Sequence, residues 1–169
     1  MDKFIYETKF TDDVCDGIID FYNTSDQFQK HPGQISNRED TEKSDKDSID
    51  LSIPWHFIEF DQRLDAYFNF LHQSFVSYFQ KFEQARLPCK ISDVFNIQWY
   101  PANTGGYHRP HCERIGSGKT ASYRHLAWMT YLNTINEGGE TYWIHQDRKI
   151  KPEKGLTVFW PADWTHVHH

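Results

Sequence analysis

The sequence predicts an α+β protein in which N-terminal helices support a double-stranded β-helix, or jelly-roll, core. Two observations lead to this prediction. Apolar residues recur at helical spacing in the first half of the chain, whereas short strand-like segments separated by turns fill the second half. The chain has 169 residues, the length of one ordinary domain, and it shows neither an internal repeat nor a linker. We therefore expect a single domain over residues 1–169.

The N-terminal elements follow from local pattern. Residues 3–10 alternate in polarity, which predicts a half-buried strand. Thr11 stands where a helix N-cap is favoured and is followed by two aspartates, so we predict a helix that ends near Asn23. Residues 24–50 are polar and charged, which indicates a surface loop with a solvated face and a strand recovering around 48–53. A phenylalanine-rich apolar stripe predicts a long amphipathic helix over 60–84, ending before Pro88.

The second half of the chain reads as antiparallel strands. Runs of β-branched and aromatic residues alternate with turns that contain Gly, Asn or Pro. This pattern is typical of a barrel or a double-sheet jelly roll. The predicted strands cover residues 94–100, 124–133, 139–144 and 155–161.

Composition restricts the class of function. The formal net charge of −6 disfavours nucleic acid as a partner, since proteins that bind phosphates usually carry a basic face. The three scattered cysteines indicate neither a disulfide framework nor a zinc site. The sequence has no apolar leader and no apolar run long enough to span a membrane. We expect a soluble, cytoplasmic protein with no membrane partner.

The candidate chemistry begins at His111-Cys112-Glu113. On an extended chain, residues two positions apart project from the same face, so His111 and Glu113 would share one face of a sheet. One imidazole and one carboxylate make up two thirds of the 2-His-1-carboxylate set that binds non-haem Fe(II). Alone, such a triplet is common, and a buried structural histidine is the alternative interpretation.

A series of motifs around this triplet resembles a known family. In order, the chain carries Tyr100, Gly106-Tyr107, His111-Cys112-Glu113, Arg124, Thr130-Tyr131-Leu132-Asn133, Glu137-Gly138-Gly139-Glu140-Thr141, Pro152, Gly155, Phe159 and a late histidine. This series is similar to that of the 2-oxoglutarate/Fe(II)-dependent oxygenases of the prolyl 4-hydroxylase-like superfamily, in the style of small stand-alone bacterial and phage domains. The resemblance covers residues 95–169.

The resemblance implies an enzyme that uses Fe(II), 2-oxoglutarate and O2 to hydroxylate a substrate while forming succinate. The substrate would be a small molecule or a peptide, with prolyl and other amino-acid side chains among the candidates. His111 and Glu113 would be iron ligands, although the family usually has Asp where Glu113 stands. Tyr100 and Thr141 would donate hydrogen bonds to the carboxylates of 2-oxoglutarate.

The C-terminal end carries two candidates for the third ligand. His166 and His168 would share a strand face, so strand parity does not separate them. Relatives follow the ligand with one residue and a glycine, which favours His168. In relatives a further strand then supplies a Lys or Arg for the far carboxylate of 2-oxoglutarate.

Because the sequence ends at His169, we expect a C-terminally truncated domain that binds 2-oxoglutarate poorly and leaves a strand edge open to a second chain. Any substitute cation would be sought at Arg109, Arg114 or Arg124.

Two other functional interpretations remain open. A degenerate jelly roll could bind metal or ligand without catalysis. A cupin-type metalloenzyme without a keto acid would typically need a His-x-His arrangement, which the spacing of His108 and His111 does not provide.

Overall fold

The computed structural model describes residues 3–35, 41–92, 94–114 and 121–169. It contains both helices and strands, as the sequence predicted. The two α-helices are α1 (Asp12–Thr24) and α2 (Gln62–Lys81). The strands are β1 (Tyr6–Lys9), β2 (Lys30–Pro32), β3 (Lys46–Asp47), β4 (Ile49–Pro54), β5 (Val94–Trp99), β6 (Gly106–Tyr107), β7 (Leu126–Thr130), β8 (Thr141–Trp143), β9 (Arg148–Ile150) and β10 (Leu156–Pro161).

The strands form small antiparallel sheets. One sheet has the order β1-β10-β7 and a second has the order β2-β4-β5, while β3 pairs with β6 and β8 pairs with β9. Within the described ranges, β1 and β7 are the outer strands of the first sheet, and β2 and β5 are the outer strands of the second. Near the C-terminal end, His168 forms bridges on both sides, to His111 and to Trp143.

The long helix α2 begins where a capping residue allows it. The Asp61 side chain accepts a hydrogen bond from the backbone N–H of Arg63, which satisfies one of the free donors of the first turn. Residues Trp55–Phe60 form a 3₁₀ turn instead, so the helix starts two residues later than the pattern predicted. Its apolar face buries Leu64 and Leu71 in the larger core cluster.

Aromatic contacts fix α2 against the strands. The Phe68 ring meets Phe95 of β5 edge to face with centroids 4.7 Å apart, and the Phe75 ring meets Phe159 of β10 at 4.8 Å. The helix therefore lies across both three-stranded sheets, as the predicted role of a supporting helix requires. None of the described helices is both long and apolar enough to cross a bilayer.

The predicted surface loop over 24–50 is wrong in two places, at Lys30–Pro32 and at Lys46–Asp47. The strands β2 and β3 lie within it, and Lys46 and Asp50 are only 5% and 2% exposed. Their side chains form an ion pair of 2.7 Å, and the pairing allows charged groups to be buried. Residues 36–40 of the predicted loop lie outside the described residues.

Candidate metal centre

Two histidines that are distant in sequence meet through backbone pairing. The N–H of His111 donates to the carbonyl of His168 (3.0 Å), and the N–H of His168 donates to the carbonyl of His111 (2.9 Å). This reciprocal pair of bonds places the two imidazole rings side by side, with centroids 4.4 Å apart. The C-terminal segment also pairs with the β8 region, since His168 bridges to Trp143.

Glu113 completes a compact group with these histidines. One ligand atom from each of His111, Glu113 and His168 lies within 4.8 Å of the other two. The His168 Nε2 is 3.3 Å from the Glu113 Oε1. The second oxygen, Oε2, is buried and has no hydrogen-bond partner among the described atoms. A buried carboxylate oxygen without a donor is uncommon, and a cation would satisfy it.

Outer hydrogen bonds set the tautomer of each imidazole. The Nδ1 of His111 lies 3.0 Å from the carbonyl of Arg109, and the Nδ1 of His168 lies 2.9 Å from the carbonyl of His166. Because a carbonyl can only accept, both Nδ1 atoms carry the proton. The Nε2 lone pair of each neutral ring is then the atom available to a metal, and the backbone fixes the orientation of the ring.

Burial and charge prepare the group for a cation. Burial, together with the neighbouring His168, lowers the pKa of His111 to about 4, so this ring is neutral at neutral pH. Burial would raise the pKa of Glu113, but the hydrogen bond and the charge of His168 outweigh it and hold that pKa below its usual value. Burial likewise opposes the charged form of His168, but Glu113 outweighs it and raises the pKa. The opposite shifts favour a proton on the Nε2 of His168, directed at the ionised Glu113, and a divalent metal would displace that proton.

His166 does not belong to this group. The predicted strand face shared by His166 and His168 is wrong, because Trp164–His166 form a 3₁₀ turn. The Nε2 of His166 donates to the carbonyl of Lys3 (2.9 Å), and its Nδ1 lies 2.8 Å from the hydroxyl oxygen of Thr165. Both ring nitrogens are therefore engaged away from Glu113.

Tyr100 and Thr141 line the same cavity as the metal-ligand candidates. This cavity has a volume of about 2400 Å³. The Thr141 hydroxyl accepts from Tyr131 (2.7 Å), which leaves its own proton free for a ligand. The Tyr100 hydroxyl donates to the Oε1 of Gln98 (3.0 Å). Burial raises the pKa of Tyr100 and Tyr131, so both phenols remain neutral donors.

The three arginines named as substitute cations all contact other parts of the protein. Arg109 pairs with Asp45 at 3.7 Å. The Nε of Arg114 donates to the carbonyl of Arg124 (2.8 Å), and the Nη1 of Arg124 lies 3.4 Å from the carbonyl of Glu113. Arg114 and Arg124 therefore brace the backbone next to the carboxylate.

Two residues near the site, Tyr107 and Lys46, were given no role in the sequence analysis. The Tyr107 ring stacks on the His111 imidazole with centroids 3.7 Å apart and an interplanar angle of 14°. Lys46 lies in the predicted surface loop but lines the cavity. The position of Lys46 beside Tyr107 depends on the pairing of β3 with β6, which neither short strand reveals in its sequence.

The donor set fits a first-row divalent metal. Two neutral imidazoles and one carboxylate are the ligands preferred by non-haem Fe(II) centres. Within the described ranges, this is the single group of three His, Cys, Asp or Glu side chains close enough to hold an ion.

Comparison with known proteins agrees with this chemistry. Residues 95–169 match the protein-family model of the 2OG-Fe(II) oxygenase superfamily. The resemblance inferred from the sequence is thereby confirmed, and the matched segment contains all three residues of the candidate metal centre. The superfamily implies Fe(II), 2-oxoglutarate and O2 as cofactor and co-substrates. No curated protein sequence is significantly similar to the chain.

Solved structures show the same fold at low sequence identity. A prolyl-4-hydroxylase from Pseudomonas putida superposes with a TM-score of 0.66 at 14% identity, covering 99% of this chain and 84% of that one. A viral collagen prolyl hydroxylase from Paramecium bursaria Chlorella virus-1, solved as a 2-oxoglutarate complex, gives 0.59 at 16% identity, covering 98% and 86%. The overall fold is therefore prolyl 4-hydroxylase-like.

Proposed function

We propose that this protein is an Fe(II)- and 2-oxoglutarate-dependent dioxygenase that hydroxylates its substrate and converts 2-oxoglutarate to succinate. The observation that carries the proposal is the cluster of His111, Glu113 and His168 inside the segment that matches the superfamily. We further propose that residues 1–169 form one domain and that the strands from β5 onward form a double-stranded β-helix.

In this proposal His111, Glu113 and His168 hold the iron. When bound, Fe(II) supplies the activation of O2, which no protein side chain can provide. The carboxylate of Glu113 balances ferrous charge, and the two imidazoles are held by the carbonyls of Arg109 and His166. Tyr107 covers one face of the His111 ring, which restricts the access of water to that ligand.

Tyr100 and Thr141 bind the co-substrate in this proposal. Tyr131 donates to the Thr141 oxygen, so the Thr141 proton is directed to another acceptor. A carboxylate in the cavity provides that acceptor, and hydrogen bonds to a charged acceptor are among the stronger ones. The Tyr100 hydroxyl exchanges its bond to Gln98 for one to the ligand.

The test uses the purified protein under anaerobic conditions, after a mass measurement has shown that the chain is full length. Fe(II) and 2-oxoglutarate together should give a weak visible charge-transfer band, and admission of air should yield succinate. Absence of both would refute the proposal. Metal binding without succinate would instead support a non-catalytic metal-binding jelly roll. The Glu113→Ala variant is the matched control, since it removes the charged ligand only.

Prolyl side chains are the first substrates to examine, because both solved relatives carry the name prolyl hydroxylase. A proline-rich peptide should raise succinate formation above the rate without peptide, whereas the same peptide with alanine in place of proline should not. Equal rates with both peptides would direct the search to another side chain or a small molecule.

A further inference from the structure

Two arginines lie beside the candidate metal centre, on the side of Glu113. Arg114 and Arg124 both line the cavity that contains the metal-ligand candidates. The chain as a whole is acidic, with a formal net charge of −6, so a basic region in the cavity wall is a local feature and not a general property of the surface. The potential of such a region favours the binding of an anion.

Hydrogen bonds to the backbone hold both guanidinium groups near Glu113. The Nη1 of Arg124 lies 3.4 Å from the carbonyl oxygen of Glu113, whose side chain belongs to the metal-ligand group. The Nε of Arg114 donates to the carbonyl of Arg124 (2.8 Å), and the backbone N–H of Arg114 donates to the carbonyl of Ala162 (2.8 Å). One arginine therefore contacts the backbone of the carboxylate ligand, and the other follows that ligand in the chain.

These backbone contacts use few of the arginine donors and none of the arginine charge. A guanidinium has five N–H donors, and the described residues give the side chains of Arg114 and Arg124 one carbonyl acceptor each. A carbonyl satisfies a donor without neutralising the cation. Within the described ranges, neither side chain forms an ion pair with a carboxylate, in contrast to Arg109, which pairs with Asp45 at 3.7 Å.

Other carboxylates of this region do not replace such a partner. Asp163 lies within electrostatic range of Arg114, but one of its oxygens accepts from the backbone N–H of Thr165 (3.1 Å). The glutamates of the cavity wall other than Glu113 are exposed, so solvent and salt screen their charges; they are Glu83, Glu137 and Glu140. Arg124 is itself only partly exposed, so its charge is screened less.

A third donor is the hydroxyl of Tyr107, whose ring stacks on the His111 imidazole with centroids 3.7 Å apart. Burial, together with the charge of Glu113, raises the pKa of Tyr107 to about 12 against the opposing charges of Arg109 and Arg124. The phenol is therefore neutral and can donate a hydrogen bond. Within the described part of the chain, no residue accepts from this hydroxyl. Tyr107 and Arg124 thus offer donors in the same part of the site.

We propose that Arg124, assisted by Arg114 and the Tyr107 hydroxyl, binds a side-chain carboxylate of a peptide substrate, so that this protein acts on acidic peptides. This inference rests on the proposed function and narrows its substrate class. A guanidinium can hold a carboxylate through two parallel hydrogen bonds, which gives specificity as well as affinity. Because Arg124 contacts Glu113, a peptide bound to it lies next to the candidate metal centre.

The experiment measures peptide binding by calorimetry to protein loaded with Mn(II) and 2-oxoglutarate under argon, so no turnover occurs. The probes are the terminally blocked peptides Gly-Glu-Pro-Glu-Gly and Gly-Gln-Pro-Gln-Gly, which differ in charge but hardly in shape. The wild type should bind the Glu peptide about tenfold to a hundredfold more tightly, the range expected for hydrogen bonds between charged groups. Arg124→Gln should abolish this preference and keep the wild-type affinities for Mn(II) and 2-oxoglutarate.

Arg148→Gln is the matched control, because it makes the same substitution at an arginine that pairs with Glu7 and is not part of the described cavity wall. It should keep the full preference, which separates a local contact from the net charge of the protein. Because Arg124 also braces Glu113, Arg124→Gln can lose metal or fail to fold. Arg114→Gln changes an exposed side chain and provides the second test, with a preference reduced by about threefold to tenfold.

Each result supports or overturns the inference. Equal affinity of the wild type for the two peptides, or no binding of either, would overturn it. An undiminished preference in both Arg124→Gln and Arg114→Gln would leave the arginines a bracing role only. A selective loss of 2-oxoglutarate affinity in Arg124→Gln would also overturn the inference, because the arginine would then serve the co-substrate. The proposed function fails separately, and the inference with it, if the Mn(II)-loaded wild type does not bind 2-oxoglutarate.

Discussion

The choice between His168 and His166 as the metal ligand can be tested with one pair of variants. His168→Ala removes an Nε2 that lies 3.3 Å from the Glu113 carboxylate. His166→Ala removes a ring whose two nitrogens bond Lys3 and Thr165 instead. The two substitutions delete the same side chain from positions two residues apart, so they differ mainly in what each ring contacts.

We expect His168→Ala to lower metal affinity and His166→Ala to lower the free energy of unfolding. Loss of an outer-shell partner of a metal typically costs 10- to 100-fold in affinity, so loss of the direct ligand His168 should cost more than about 100-fold, equivalent to about 2.7 kcal/mol. His166→Ala keeps the backbone carbonyl that orients His168. It leaves the carbonyl of Lys3 without its His166 donor, which should destabilise the fold by about 1–3 kcal/mol with little loss of metal affinity.

Calorimetric titration of the metal-free protein with Mn(II) measures the first quantity, and urea unfolding measures the second. Comparable Mn(II) affinity in His168→Ala and wild type would refute the assignment. A large loss of affinity in a folded His166→Ala variant would show that the 3₁₀ turn rearranges when metal binds.

Further predictions concern the other ligands, pH and the core. His111→Ala should abolish Mn(II) binding measured by calorimetry, whereas His145→Ala should not, because His145 lies outside the ligand group. Glu113→Asp should retain metal and some succinate formation, whereas Glu113→Ala should lose the latter; equal succinate yield from Glu113→Ala and wild type would exclude a ligand role. Burial opposes the charged form of His168, but Glu113 outweighs burial and holds the pKa of His168 above its ordinary value. The protonated His168 therefore stabilises the metal-free protein at low pH, and this contribution is lost as pH rises through the raised pKa. Because a metal competes with the His168 proton, Mn(II) affinity should increase over the same interval. An Mn(II) affinity that does not rise with pH through the titration of His168 would contradict this competition. Leu51→Ala, at a fully buried position, should cost about 2–5 kcal/mol in urea unfolding.

The sequence alone determined the elements whose pattern is local. Helix α2 follows from the apolar stripe, and strand β10 follows from a run of β-branched and aromatic residues next to turn residues. The motif series also indicates the superfamily without any tertiary information. These features are encoded within short windows, because periodicity and capping depend on neighbouring residues.

The relation of His111 to His168 required the tertiary structure. The motif could name both residues, but the two chain segments are brought together only by the reciprocal backbone bonds between them. Strand parity did not distinguish His166 from His168 as the third ligand. The 3₁₀ turn at Trp164–His166 is what keeps the His166 ring away from Glu113. Parity reasoning holds only where the chain is extended, and no short-range signal marked the turn.

The clearest difference between the sequence prediction and the structure lies in the charged segment before β4. A run of Lys, Asp and Ser is ordinarily solvated, so the sequence predicted a surface loop there. In the structure, pairing of β3 with β6 brings Lys46 beside Tyr107, and Asp50 compensates its charge. Whether a charged side chain is exposed or buried depends on partners that are distant in sequence, as Gln98 and Tyr107 are from Lys46. Only the tertiary structure could therefore place a cation in the cavity wall.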